Sequence, residues 1–234
     1  MNGLTQMRIF QDKHSAGKQQ QDAATSSLDQ KYRWIVNREW EVSHRIAVRL
    51  VDKPELSVWM ILIPIIFLHF MHRASKFKAG LAAVSKELFI SREFALLLAR
   101  ESIESGAEQA IDPESRFPTG TDTPIGRQLR EAELAVSRHL IAHYRRLLRA
   151  DGNSYPELLR NAYGSETNYR QQYLQPLLVL EQRIADCARQ LAEDPAEAEQ
   201  TIAIIIRSRQ VLRDEEIRHG FASHISVQAI ATSE

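Results

Sequence analysis

The run LSVWMILIPIIFLHFMHR, Leu56–Arg73, constrains this chain more than any other stretch. Its centre is Val58, Trp59, Met60, Ile61, Leu62, Ile63, Pro64, Ile65, Ile66, Phe67 and Leu68, where the Trp59 indole is the only polar side-chain group. A helix that is apolar on every face must be surrounded by nonpolar material, either lipid or protein interior. As a helix, Leu56–Met71 would extend about 24 Å, short of the ~30 Å hydrocarbon core of a bilayer. The expectation is a membrane-anchoring helix that either spans with the help of partners or dips in and returns.

The flanks bear on that choice. Arg45, Arg49 and Lys53 precede the run, and Arg73, Lys76 and Lys78 follow it. A single-pass anchor concentrates its basic residues on the cytoplasmic side, whereas these flanks balance. Balance follows naturally if both ends lie on one cytoplasmic face, and Pro64 permits a kink between them. Upstream, Tyr32, Trp34 and Trp40 alternate with Lys31, Arg33 and Arg38, a mixture suited to a helix on an anionic membrane surface.

The rest of the chain has helical grammar. Short polar residues that accept from free N–H groups mark helix starts. They are Ser27 before Leu28–Val51, Asp52 before the apolar helix, Thr123 before 125–150, Ser154 before 155–163, and Asp194 before 195–219. Leu81–Ile111 and Thr167–Glu193 carry apolar residues every three or four positions. Gly220 falls where a left-handed helix terminus is expected. No window alternates as a strand does, so the predicted fold is all-α.

The predicted organisation is a polar tail at 1–27 without an apolar leader core, an amphipathic helix at 28–51 and an anchoring helix at 52–79. A helix at 80–111, a loop rich in proline and glycine at 112–126, a helical bundle at 127–222 and a tail at 223–234 complete the chain.

Charge and cysteine content narrow the function. Thirty basic and thirty acidic residues leave no net charge, which counts against a nucleic-acid partner. The single cysteine, Cys187, forms no intramolecular disulfide and no thiolate zinc cluster. Nine glycines, with no Gly-x-Gly-x-x-Gly, Walker loop or Gly-x-Ser-x-Gly elbow, give no support to nucleotide or serine-nucleophile chemistry.

One constellation points to metal. Glu41 and His44, and again Glu216 and His219, form Glu-x-x-His pairs within predicted helices. That spacing puts both side chains on one face, as in di-iron or other di-metal carboxylate bundles, where two further helices each add a glutamate. Glu101 and Glu133 are candidates for those. Two such pairs are also close to the number chance supplies, and here they sit on the first and last helices rather than alternating. His139 and His143, four apart, are a weaker candidate pair.

The expected protein is therefore a non-enzymatic membrane-associated scaffold or accessory subunit without a cofactor. Its partners would be the bilayer and a second protein or another copy of the chain. Its expected place is the membrane, the inner or cytoplasmic one in a bacterium, with most of the chain cytoplasmic. Two alternatives are a membrane-bound di-metal oxidoreductase using Glu41, His44, Glu216 and His219, and a soluble helical adaptor.

Overall fold

The computed structural model describes residues 27–50, 77–106, 112–116 and 123–221. The expected anchor Val58–Leu68 and both tails lie outside the described residues. All regular structure among those described is helical.

Helix α1 covers 27–50 and α2 Phe77–Glu104. A 3₁₀ turn at Pro113–Arg116 precedes α3, Pro124–Arg149. The short helices α4, Tyr155–Tyr163, and α5, Glu166–Tyr169, follow. A π turn at Arg170–Leu174 joins α5 to α6, Gln175–Leu191, and α7 is Pro195–Phe221. Pro176, at the start of α6, has no N–H to give the preceding turn, and the widened turn before it absorbs the mismatch.

Three of the caps read from sequence form, and Asp52 lies outside the described residues. Thr123 accepts from the Gly126 N–H at 3.1 Å, Ser154 from Glu157, and Asp194 from Ala196 and Glu197. Ser165 caps α5 through Asn168, so the helix starts at Glu166, one residue before the expected Thr167. Other boundaries move. The helix expected over Leu81–Ile111 begins at Phe77 and gives way to a turn after Glu104. Gly106 takes φ +67° there, and its N–H closes on the Ile103 carbonyl. Gly220 is not a left-handed terminus but lies buried inside α7. A Cβ at that position would sit 2.7 Å from Leu159 Cδ2, so the glycine lets α4 approach α7 closely.

Contacts set the helix directions. Along α1, Asp29, Glu39, Trp40 and His44 meet Arg100, Arg92, Phe89 and Ser85 of α2, so the two helices are antiparallel. Ile46 and Leu50 cluster with Ile205 and Leu212, while Arg38 reaches Glu216, so α7 also opposes α1. Lys31 donates to the Leu148 carbonyl near the end of α3. Glu181 pairs with Arg213 and Arg189 with Glu199, making α6 and α7 antiparallel. Thus α1 and α6 run one way, and α2, α3 and α7 the other.

Two consequences follow. The connection from α2 to α3 must climb back along the bundle, and it does so against α3, where Arg138 holds Asp112 and Glu114. Residues 50 and 77 emerge at the same end of the α1–α2 pair. The main core unites α1 through Ile35, α2 through Leu96 and Leu98, α3 through Ile141 and Tyr144, and the short helices through Leu158, Leu159 and Tyr169.

Gly152 makes the turn into α4 at φ +156°, and a Cβ there would lie 3.0 Å from both Glu157 Cβ and the Leu158 nitrogen. Gly152→Ala is expected to lower unfolding free energy by about 1–3 kcal/mol. Urea denaturation beside an Asn153→Ala control checks this, and equal midpoints would refute the close-approach account.

A buried charge network as the candidate functional site

Glutamate, arginine and tyrosine side chains converge between α1, α2, α6, α7 and the short helices. Tyr155 donates to Glu216 Oε1 at 2.8 Å, Tyr169 donates to Glu216 Oε2, and Arg38 approaches Oε1 at 3.5 Å. Arg38 also donates to the Leu212 carbonyl. Deeper, Arg92 pairs with Glu39 at 2.9 Å. Glu181 takes three guanidiniums: Arg213 at 2.6 Å, Arg209 at 2.9 Å and Arg92 at 3.8 Å.

An isolated buried ion is costly, so such groups persist only when paired and hydrogen-bonded. Burial pushes the Glu181 carboxyl upward, but Arg209, Arg213 and Arg92 outweigh it and hold the group below the ordinary carboxylate range. Burial works against the charged form of Arg92 as well, and Glu39 foremost reverses that, raising it well above its ordinary value. Burial, reinforced by Glu216, raises the Tyr155 and Tyr169 phenols far above theirs. These tyrosines are neutral donors at physiological pH.

An aromatic layer adjoins the network. The His143 ring stacks on Tyr173 with centroids 3.7 Å apart and planes 13° apart. Its Nδ1 lies 2.7 Å from the Tyr163 hydroxyl. Burial foremost, then His139, Arg92 and Arg146, lowers the His143 pKa well below the ordinary histidine value. A neutral imidazole is therefore part of the core. His139 instead stacks on Tyr173 with centroids 5.5 Å apart, its Nε2 2.9 Å from the Tyr173 carbonyl oxygen, so this pair serves packing around one tyrosine.

The four metal candidates have different surroundings. Glu41, Glu216 and His219 line one cleft of about 320 Å³, together with Trp34, Arg38 and Tyr155. His44 faces away, its Nδ1 3.3 Å from Ser85 Oγ. Arg38 stands between Glu41 and Glu216, bonded to both, where a metal shared by the two carboxylates would have to sit. Glu101 adjoins Arg100, which pairs with Asp29 at the start of α1, whereas Glu133 acts on Cys187 near the far end of α6. Among the described residues no group of three or more histidine, cysteine, aspartate or glutamate side chains could hold a metal ion.

The sequence reading missed Arg92, Glu181, Arg209 and Arg213. A signal was present. Arg92 interrupts the buried face Ser85, Phe89, Leu96, Ala99, and Arg209 falls four residues after Ile205 and three before Leu212. A charge on an apolar stripe requires a partner. No protein-family model, curated protein or solved structure matches this chain.

Glu41 and Glu216 are equivalent in the sequence motif but differ in exposure, 54% against 13%. Glu216→Gln is expected to cost about 2–4 kcal/mol of stability, because it leaves Arg38 poorly compensated. Glu41→Gln is expected to cost less than about 1 kcal/mol. Denaturant titration of the two variants distinguishes them, and equal effects would refute the network.

His143 sets a pH dependence. Its folded pKa lies below the unfolded value near 6.5, so on acidification the unfolded chain takes a proton first and stability falls. From pH 7.5 to 5.5 this group alone removes at most about 1.4 kcal/mol. Urea melts at both values should show His143→Gln losing that much less than the native chain. An unchanged slope would refute it.

Proposed function

We propose that this chain is a non-enzymatic, membrane-associated helical bundle whose apolar run enters one face of a bilayer and returns, serving as a scaffold or accessory subunit. One observation carries the reading: α1 and α2 are antiparallel neighbours, so the run between them starts and finishes at one end of the bundle. Packed helices lie about 8–10 Å apart, whereas the two ends of a single crossing are about 30 Å apart. With α1 and α2 paired, a single span is disfavoured and a dip is compatible.

The sequence supports the same geometry. Pro64 stands near the midpoint of 51–76, and basic residues flank both ends. Arms of a dozen residues, if helical, would each reach about 18 Å, roughly half a bilayer. Among the described residues no helix is long and apolar enough to cross a membrane, which leaves 51–76 as the segment carrying the proposal. The bundle also exposes Leu178 and Val179 on α6 and Ile206 and Val211 on α7, apolar material suited to helix-on-helix contact with another protein.

In a Cys187→Ala background, Val48→Cys and Lys86→Cys are expected to react with an impermeant thiol reagent from the same side of sealed vesicles. Alkaline carbonate should leave the chain with the membrane. Labelling from opposite sides would refute the dip, and release by carbonate would refute integral insertion.

A further inference from the structure

Helix α7 carries a second stripe besides the one it buries. Ala203, Ile206, Arg207, Gln210, Val211 and Asp214 are all exposed, at the three- and four-residue spacing that keeps them on one face. Of the Ile204–Ile206 run only Ile205 is buried, while Ile206 is 41% exposed and Val211 36%. Helix α6 runs beside this stripe. Glu181 pairs with both Arg209 and Arg213, so it stands level with Val211. Leu178, one turn earlier on α6, is therefore level with Asp214 and is itself exposed. Two adjacent helices thus present apolar side chains between separated charges.

The charges select what fits there. Arg207 and Asp214 are seven residues apart, about 10 Å along the helix. When two copies of α7 pack antiparallel about a two-fold midway between them, Arg207 of each meets Asp214 of the other, and Gln210 and Val211 straddle the axis. A parallel pair would set Arg207 against Arg207 and Asp214 against Asp214, which like-charge repulsion opposes. The neighbouring charges leave this register intact. Arg218 falls opposite Ala203, and its Nε–H donates to the Asp214 carbonyl rather than the carboxylate. Arg213 and Glu215 are engaged by Glu181 and Arg45, and Asp186 by Arg189. Arg183, two residues from Glu181, turns away from α7. We propose that the outer face of α7, flanked by Leu178 of α6, is the contact of an antiparallel homodimer, with Arg207 and Asp214 setting its register. The occupant is a second copy because a two-fold contact requires a patch complementary to itself, and this stripe is one. The proposal rests on the reading of α6 and α7 as a docking face and not on the membrane contact. Residues 50 and 77 of the two copies emerge at opposite ends of the pair, so a dimer of membrane-bound chains joins two facing bilayers.

The test places Gln210→Cys, beside the two-fold, in the full Cys187→Ala chain in mild detergent. Mild oxidation is expected to give a disulfide-linked dimer, whereas Glu131→Cys, also exposed but on α3, should stay monomeric. Adding Arg207→Asp to Gln210→Cys should cut the dimer yield by about threefold or more. Adding Arg207→Asp and Asp214→Arg together should restore it. All these positions are exposed, so the variants keep the fold. Equal yields at 210 and 131, a yield that Arg207→Asp leaves unchanged, or a double exchange that restores nothing would each overturn the proposal. Carbonate extraction bears only on the membrane reading and this crosslink only on the dimer, so the two fail separately.

Discussion

Placing charge inside a helical bundle is tolerable only when each ion finds its counter-ion, and that requirement organises this protein. Glu181 on α6 is shared by Arg92 on α2 and by Arg209 and Arg213 on α7. Glu39 on α1 closes the circuit through Arg92. Four long helices are therefore tied through one set of ions, and sliding any of them by a turn would strand a buried charge. Apolar side chains tolerate small changes of register, whereas guanidinium and carboxylate pairs do not. The core gives the bundle its driving force, and the ions fix its alignment.

The same alignment sets where the two ends of the segment 51–76 lie. Because Asp29, Glu39 and His44 meet Arg100, Arg92 and Ser85 in reversed order, α1 and α2 are antiparallel, with residues 50 and 77 at one end of the pair. The cleft lined by Trp34, Arg38 and Glu216 lies at the middle of α1, against α4.

Much of the helical framework was legible locally. Thr123, Ser154 and Asp194 cap as their side-chain chemistry dictates, since a cap involves only the next three residues. Helix ends governed by backbone or by packing were less so. Gly106 ends α2 earlier than the apolar pattern suggests, and Gly220 proves to be a contact with Leu159, 61 residues away in sequence. The Glu-x-x-His spacing singled out Glu216 but not the residues that bond it. Its partners are Tyr155, Tyr169 and Arg38, none of which lies within a helical turn of it. His44, of identical motif rank to His219, turns to Ser85.

By itself the sequence determined the helical class, most helix starts and the single run apolar enough to require a nonpolar surrounding, because these follow from side-chain chemistry within a few residues. Only the tertiary structure decided which charges meet, that Arg38 stands between Glu41 and Glu216, and that residues 50 and 77 emerge together. Those facts depend on helix direction and register, which arise when distant segments pack and which no local pattern encodes.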